Sequence, residues 1–161
     1  MTIEEYNNSV ERYSDGLYRF VLKNIKDKEQ AKDIIQDTYE KLWMKVAGVA
    51  ALKVKSYLFS TAYHTMIDVI RKESRKDTFD AEPPVVHAHT EQYSDLQELL
   101  AAAVEKLPEA QRSVILLRDY EGYSYSEISE ITGLSETQVK VYIYRGRVFL
   151  KNYIGSMESV I

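Results

Sequence analysis

The side chains best arranged for chemistry in this sequence suit anion binding and protein docking better than bond making or breaking. Lys53, Lys55, Arg71, Lys72 and Arg75 carry most of the charge of one segment, and Tyr57, Tyr63 and His64 are interleaved among them. Such a mixture can grip phosphates while its rings offer faces to unstacked bases. Lys140, Arg145, Arg147 and Lys151 make a second basic group, and Thr137, Gln138, Val141 and Tyr142 lie beside it. Asp33, Gln36, Asp37 and Glu40 fall at helical neighbour spacings and form an acidic strip. That strip is either a solvated face or a docking surface. Catalytic groupings are absent. The three histidines are His64, His87 and His89, and His87-x-His89 lacks the further ligands that a metal needs. No cysteine is present to serve as nucleophile, thiolate ligand or disulfide partner. Neither a phosphate-cradling glycine loop nor a serine-elbow motif occurs. No enzyme activity, metal or cofactor is expected.

Helices must position these groups. The chain has 161 residues, 45% hydrophobic and 29% charged, with only six Gly and three Pro. That composition is globular and favours long helices over a many-turned β fold. The formal net charge of −4 hides a partition. Residues 1–76 hold 14 bases against 11 acids, whereas Asp77 to Glu105 holds seven acids and no base. From Lys106 onward the two signs balance at seven each. Pro83-Pro84 and the loss of apolar periodicity make 77–95 a flexible acidic linker between two modules.

Before the linker, three apolar stripes predict a helical bundle over 1–76. The first is Tyr13, Leu17, Phe20 and Val21. The second is Ile34, Ile35, Tyr39, Leu42 and Trp43. The third is Tyr57, Leu58, Thr61, Ala62, Thr65, Met66, Val69 and Ile70. After the linker, 96–155 reads as a four-helix module, followed by a tail over 156–161. Leu96, Leu99, Leu100, Ala103 and Leu107 mark its first helix. Val114, Leu117 and Tyr120 mark its second, closed by Gly122. Ser124 with Glu127, and Ser135 with Gln138, have capping-box spacing. They open a short helix ending at Gly133 and a longer one running to about Asn152. With Val139, Ile143, Gly146 and Leu150 inward, Thr137, Gln138, Lys140, Val141, Tyr142 and Arg145 face outward, the layout of a DNA-binding helix-turn-helix. A purely structural helical hairpin has the same skeleton.

QAKDIIQDTYEKLW resembles region 2.2 of the extracytoplasmic-function (ECF) group of bacterial RNA polymerase sigma factors. KSYLFSTAYHTMIDVIRKESR resembles the promoter-melting segment that follows it. LPEAQRSVILLRDYEGYSYSEISEITGLSETQVKVYIYRGRVFLK resembles region 4, in order and at family spacing. The resemblance implies an all-α cytoplasmic subunit that binds core RNA polymerase and promoter DNA, has no membrane insertion, and is controlled by an anti-sigma factor. It implies that Asp33, Gln36, Asp37 and Glu40 dock on polymerase. Lys53, Lys55, Tyr57, His64, Arg71, Lys72 and Arg75 would meet the −10 element. Thr137, Gln138, Lys140, Val141, Tyr142 and Arg145 would meet the −35 element.

Some positions depart from the family pattern. His64 stands where Asn is usual, Tyr57 where Trp is, Val141-Tyr142 where Ser-Arg is frequent, and Tyr144 where His is. Val141 and the tyrosines favour thymine-methyl, sugar or phosphate contact over an Arg fork on guanine. Two competing readings remain: a helix-turn-helix regulator that works without being a polymerase subunit, and a protein-only decoy or inhibitor.

Overall fold

Residues 1–77 and 96–158 are described by the structure, a computed structural model, and every regular element among them is helical. The order is α1 (Ile3–Ile25), α2 (Lys28–Met44), two 3-10 turns (Val46–Gly48 and Ala51–Lys53), α3 (Val54–Asp77), α4 (Leu96–Glu105), α5 (Glu109–Ile115), α6 (Tyr125–Thr132) and α7 (Glu136–Glu158). A π-helical turn, Leu116–Tyr120, prolongs α5. The expected linker lies outside the described residues from position 78 onward.

Local chemistry sets the boundaries. The Thr2 hydroxyl accepts from the Glu5 amide at 3.1 Å, and the Glu5 carboxylate accepts from the Thr2 amide at 3.0 Å. This reciprocal pair satisfies two backbone donors that an uncapped helix leaves bare. Asp27 caps α2 through the amides of Glu29 and Gln30. The two capping boxes read from the sequence both form, at Ser124–Glu127 and Ser135–Gln138. Between them Gly133 adopts φ +78°, the left-handed cap that closes α6 and turns the chain into α7. Helix α7 does not stop near Asn152 but continues to Glu158.

Helices α1–α3 enclose Leu17, Phe20, Val21, Ile34, Leu42, Leu58, Ala62 and Met66. Tyr39 ties α1 to α2: its hydroxyl donates to the Ser9 carbonyl at 3.2 Å and accepts from the Ser14 hydroxyl at 3.1 Å. Two expectations about this core need correction. Trp43 is 50% exposed, with the Tyr6 ring packed edge-on against it at 5.1 Å, so it is not a core residue. On α3 the fully buried set includes Phe59, which the stripe omitted, whereas Tyr57, Thr61 and Thr65 are half-buried. Helix α3 packs on α1 and α2 with one side and on α6 with the other. Two burial directions on one helix blur a single apolar stripe.

Helices α4–α7 enclose Val104, Leu107, Val114, Leu117, Ile128, Ile131, Val139, Ile143 and Leu150. Tyr120, expected inward, is 37% exposed. Gly146 lets α7 approach α5: a Cβ there would lie 2.9 Å from the Ile115 Cδ1.

The charge partition gives no sign that the two modules touch, yet their buried residues form one continuous apolar cluster. Phe59 of α3 meets Tyr123 edge-on at 5.0 Å between ring centres. Asn24, buried on α1, accepts from the Arg112 guanidinium of α5 at 2.8 Å. Arg19 grips Glu121 with two bonds, at 2.8 and 2.7 Å. Lys26 pairs with Glu105 at 2.6 Å.

Candidate nucleic-acid interface

The residues expected at the −35 element lie along the outer side of α7. Capping by Ser135 orients the first turn, and the Gln138 side chain accepts from the Ser135 amide at 3.0 Å. Thr137, Gln138, Lys140, Val141 and Arg145 are all exposed on this N-terminal face. Tyr142 is half-buried against the core and offers only part of its surface. Tyr144 is well exposed beside them. The Lys140 ammonium lies 5.6 Å from the Tyr125 ring centre, so α6 steadies a base of this outer face. Arg147 is tied to Asp119 through two bonds and therefore serves packing before recognition.

The α3 set divides into three places. Tyr57 and His64 line an open groove of about 450 Å3 with Lys41, Lys45, Thr61 and Asp68. Lys41 and Lys45 come from the end of α2 and were not anticipated. They bring two ammonium groups to the groove, of which Lys41 is already paired with Asp37, and Asp68 sets a carboxylate among them. Arg71, Lys72 and Arg75 are exposed near the far end of α3, about 24–30 Å along the helix from Lys55 at ~1.5 Å per residue. Lys53 and Lys55 face the second module, where Lys53 lies 3.5 Å from Glu130 and Lys55 pairs with Glu127. Tyr63 is corrected outright. It is only 8% exposed, burial pushes its hydroxyl pKa up, and no face of it is free for a base.

On α2, Asp33, Gln36 and Glu40 are exposed and Asp37 is half-buried, all on one side of the helix. Asp37 pairs with Lys41 at 3.0 Å, and the Gln36 amide reaches Glu40 at 3.5 Å. Asp33 and Asp37 border a shallow groove floored by Ile34 and Val69. The strip is thus two carboxylates with little local compensation, one paired carboxylate and a polar amide, next to the half-exposed Trp43.

Sequence reasoning missed Arg19, Glu121, Glu127 and Glu130 as residues acting between modules. Glu127 was legible only as half of a capping box, because pairing with Lys55 depends on tertiary contact. Its carboxyl pKa is held below the usual range, first by the Lys55 ammonium and then by the Ser124 amide. His87 and His89 lie outside the described residues.

Two all-α modules, the second a capped helix-turn-helix with an exposed basic face, define a sigma-70-like chain, and family models match both. Sigma-70 region 2 matches residues 9–76 and sigma-70 region 4 matches 97–150. The chain belongs to the ECF group of RNA polymerase sigma factors. It is 29% identical over 157 residues to the ECF RNA polymerase sigma factor SigM of Bacillus subtilis, covering 94% of each chain. It is 30% identical over 131 residues to the ECF RNA polymerase sigma factor SigL of Mycobacterium tuberculosis, covering 77% of this chain and 74% of that one. Among solved structures it is similar to the sigma factor RpoE in complex with the anti-sigma factor NepR from Bartonella quintana. The TM-score is 0.76 at 25% identity, covering 95% of this chain and 98% of the other. CnrH, in complex with the cytosolic domain of CnrY, shares the fold with a TM-score of 0.68 at 21% identity, over 94% of this chain and 88% of that one.

Proposed function

We propose that this chain is a polymerase subunit of the cytoplasm, binding core RNA polymerase and directing it to particular promoters. The observation that carries this reading is the succession, in one chain, of a region 2 module and a region 4 helix-turn-helix. Residues 1–76 would serve core and −10 binding, 77–95 would connect, and 96–155 would read the −35 element, with 156–161 as a tail. Within them, the α2 strip of Asp33, Gln36, Asp37 and Glu40 docks on polymerase, and acids there attract basic partner residues. Tyr57 and His64 hold −10 bases in their groove, while Lys53, Lys55, Arg71, Lys72 and Arg75 hold the backbone. Thr137, Gln138, Lys140, Val141, Tyr142 and Arg145 read the −35 major groove. No described helix is long and apolar enough to cross a membrane.

Control by an anti-sigma factor is supported by the likeness, across nearly the whole chain, to a sigma factor captured with one. A regulator acting without polymerase would have no use for a region 2 module. Co-purification with core polymerase followed by run-off transcription tests the reading: core should be retained and promoter-specific transcripts made. Tight duplex binding with no retention of core would support the regulator instead.

A further inference from the structure

A cavity of about 490 Å3 shares no lining residue with the groups assigned above to polymerase or DNA. Lys23 and Lys26 of α1 line one side of it, and Leu100, Ala101 and Val104 of α4 line another. Tyr120 of the π-helical turn and Glu105 complete the wall. The three α4 residues fall on one side of their helix. Ala101 is exposed, Leu100 half-buried and Val104 buried, so the aliphatic surface runs from the rim of the cavity to its floor. The volume lies within the range of small-molecule sites, ~300–1,000 Å3.

The two ammonium groups in this lining are not equivalent. Lys26 is paired with Glu105 at 2.6 Å. No carboxylate among the described residues pairs with Lys23, whose ammonium lies 3.8 Å from the centre of the Tyr120 ring. Glu121, the acid whose field reaches Lys23, is itself held by Arg19. Burial pushes the Lys23 pKa below its ordinary value, and the attraction of Glu121 does not offset it. A ring face solvates an ammonium only in part, and a partly desolvated charge gains from a counterion.

We propose that this cavity binds an aliphatic monocarboxylate, with its carboxylate on the Lys23 ammonium and its chain along Leu100, Ala101 and Val104. Charge selects the head group. Lys26 and Glu105 cancel, which leaves the lining one uncompensated positive charge, a match for a monoanion and not for a phosphate monoester. The walls select the body. The ring in the lining already faces Lys23, so the ligand meets aliphatic side chains in place of an aromatic stack. Because the ligand binds the folded chain, it also stabilises that chain against unfolding.

The test titrates the full chain with decanoate, below the concentration at which decanoate aggregates, and follows binding by calorimetry. A single saturable site and a raised melting temperature are expected. Decanol has the same chain without the charge and should bind about tenfold more weakly, because it forfeits a charge-assisted contact. Decyl phosphate and 1-naphthoate should also bind more weakly than decanoate.

Two variants locate the ligand. Lys23→Met keeps an apolar stem and removes the charge, so decanoate should weaken about tenfold while decanol is unchanged. Ala101→Phe fills the cavity from an exposed position and should abolish binding of both without lowering the melting temperature of the unliganded chain. Decanoate affinity that survives Ala101→Phe, or the lack of a saturable site in the parent chain, would overturn the site. Affinity unchanged by Lys23→Met, or decanol bound as tightly as decanoate, would overturn the contact with the ammonium. Tighter binding of decyl phosphate or 1-naphthoate would overturn the ligand class.

Discussion

At the scale of single residues, similar basic side chains do different work because their neighbours differ. Lys140 and Arg145 are exposed on the outer face of α7, proposed to read the −35 element, whereas Arg147, two residues on from Arg145, is tied to Asp119. Lys140→Ala and Arg145→Ala should therefore each reduce −35-dependent initiation in run-off assays. A base-reading contact costs about 1–3 kcal/mol at one promoter position, whereas a phosphate contact lowers all promoters together and flattens the salt dependence. Arg147→Ala should act through stability instead, with a lower melting temperature and the same promoter ranking. Gly146 allows a sharper test of packing. A methyl group there meets Ile115 at 2.9 Å from Cδ1 and 3.0 Å from Cγ1, inside a core where Ile115 is only 1% exposed. Gly146→Ala should cost about 1–3 kcal/mol by overpacking, read from denaturant unfolding. Adding Ile115→Val, which removes Cδ1, should recover part of that loss.

Among the elements, α2 is the one whose role depends on a face and not on a pocket. Asp33→Lys with Asp37→Lys should weaken core binding in a competition assay and leave helical content unchanged, because both sites lie on the outer side of the helix. Asp37→Lys also sets a like charge beside Lys41, a helical-neighbour repulsion of a few tenths of a kcal/mol that cannot by itself account for lost core binding. Normal competition by the double variant would place the polymerase contact elsewhere. The comparison of α7 with α3 explains what the sequence could reveal. Val139, Ile143, Gly146 and Leu150 were legible as inward because α7 buries one face, and its caps are written in adjacent residues. Helix α3 buries two faces, so Phe59 escaped notice and Tyr63 passed for a surface ring. The partners of Lys53 and Lys55 were illegible for a related reason: Glu130 and Glu127 are more than 70 residues away, and local periodicity carries no information about such contacts.

Across the whole molecule, charge is distributed as though DNA-binding surfaces required a competitor. The modules carry the exposed bases, and the stretch from Asp77 to Glu105 carries seven acids with no base. Residues 78–95 lie outside the described residues. Glu98 and Glu105 lie on α4, where Glu105 pairs with Lys26, but the prolines and the missing apolar periodicity in the sequence of 78–95 offer no packing reason for the acids there. A flexible tether would explain them by self-repulsion alone. The alternative is that they imitate nucleic acid, lying in a basic channel of polymerase or shielding the subunit's own bases when polymerase is absent. These accounts separate when Asp77, Asp80, Glu82, Glu91 and Asp95 are changed to their amides with length preserved. Imitation predicts tighter binding of the free chain to promoter DNA at low salt, an effect fading as ionic strength screens the charges. It also predicts weaker binding to core enzyme, because the same acids then lack their basic channel. The opposite direction of the two changes is the informative feature: general destabilisation would weaken both, and a gain in net positive charge would strengthen DNA binding without touching core affinity. Two binding curves that overlay those of the parent chain across a salt series would reduce the segment to a tether.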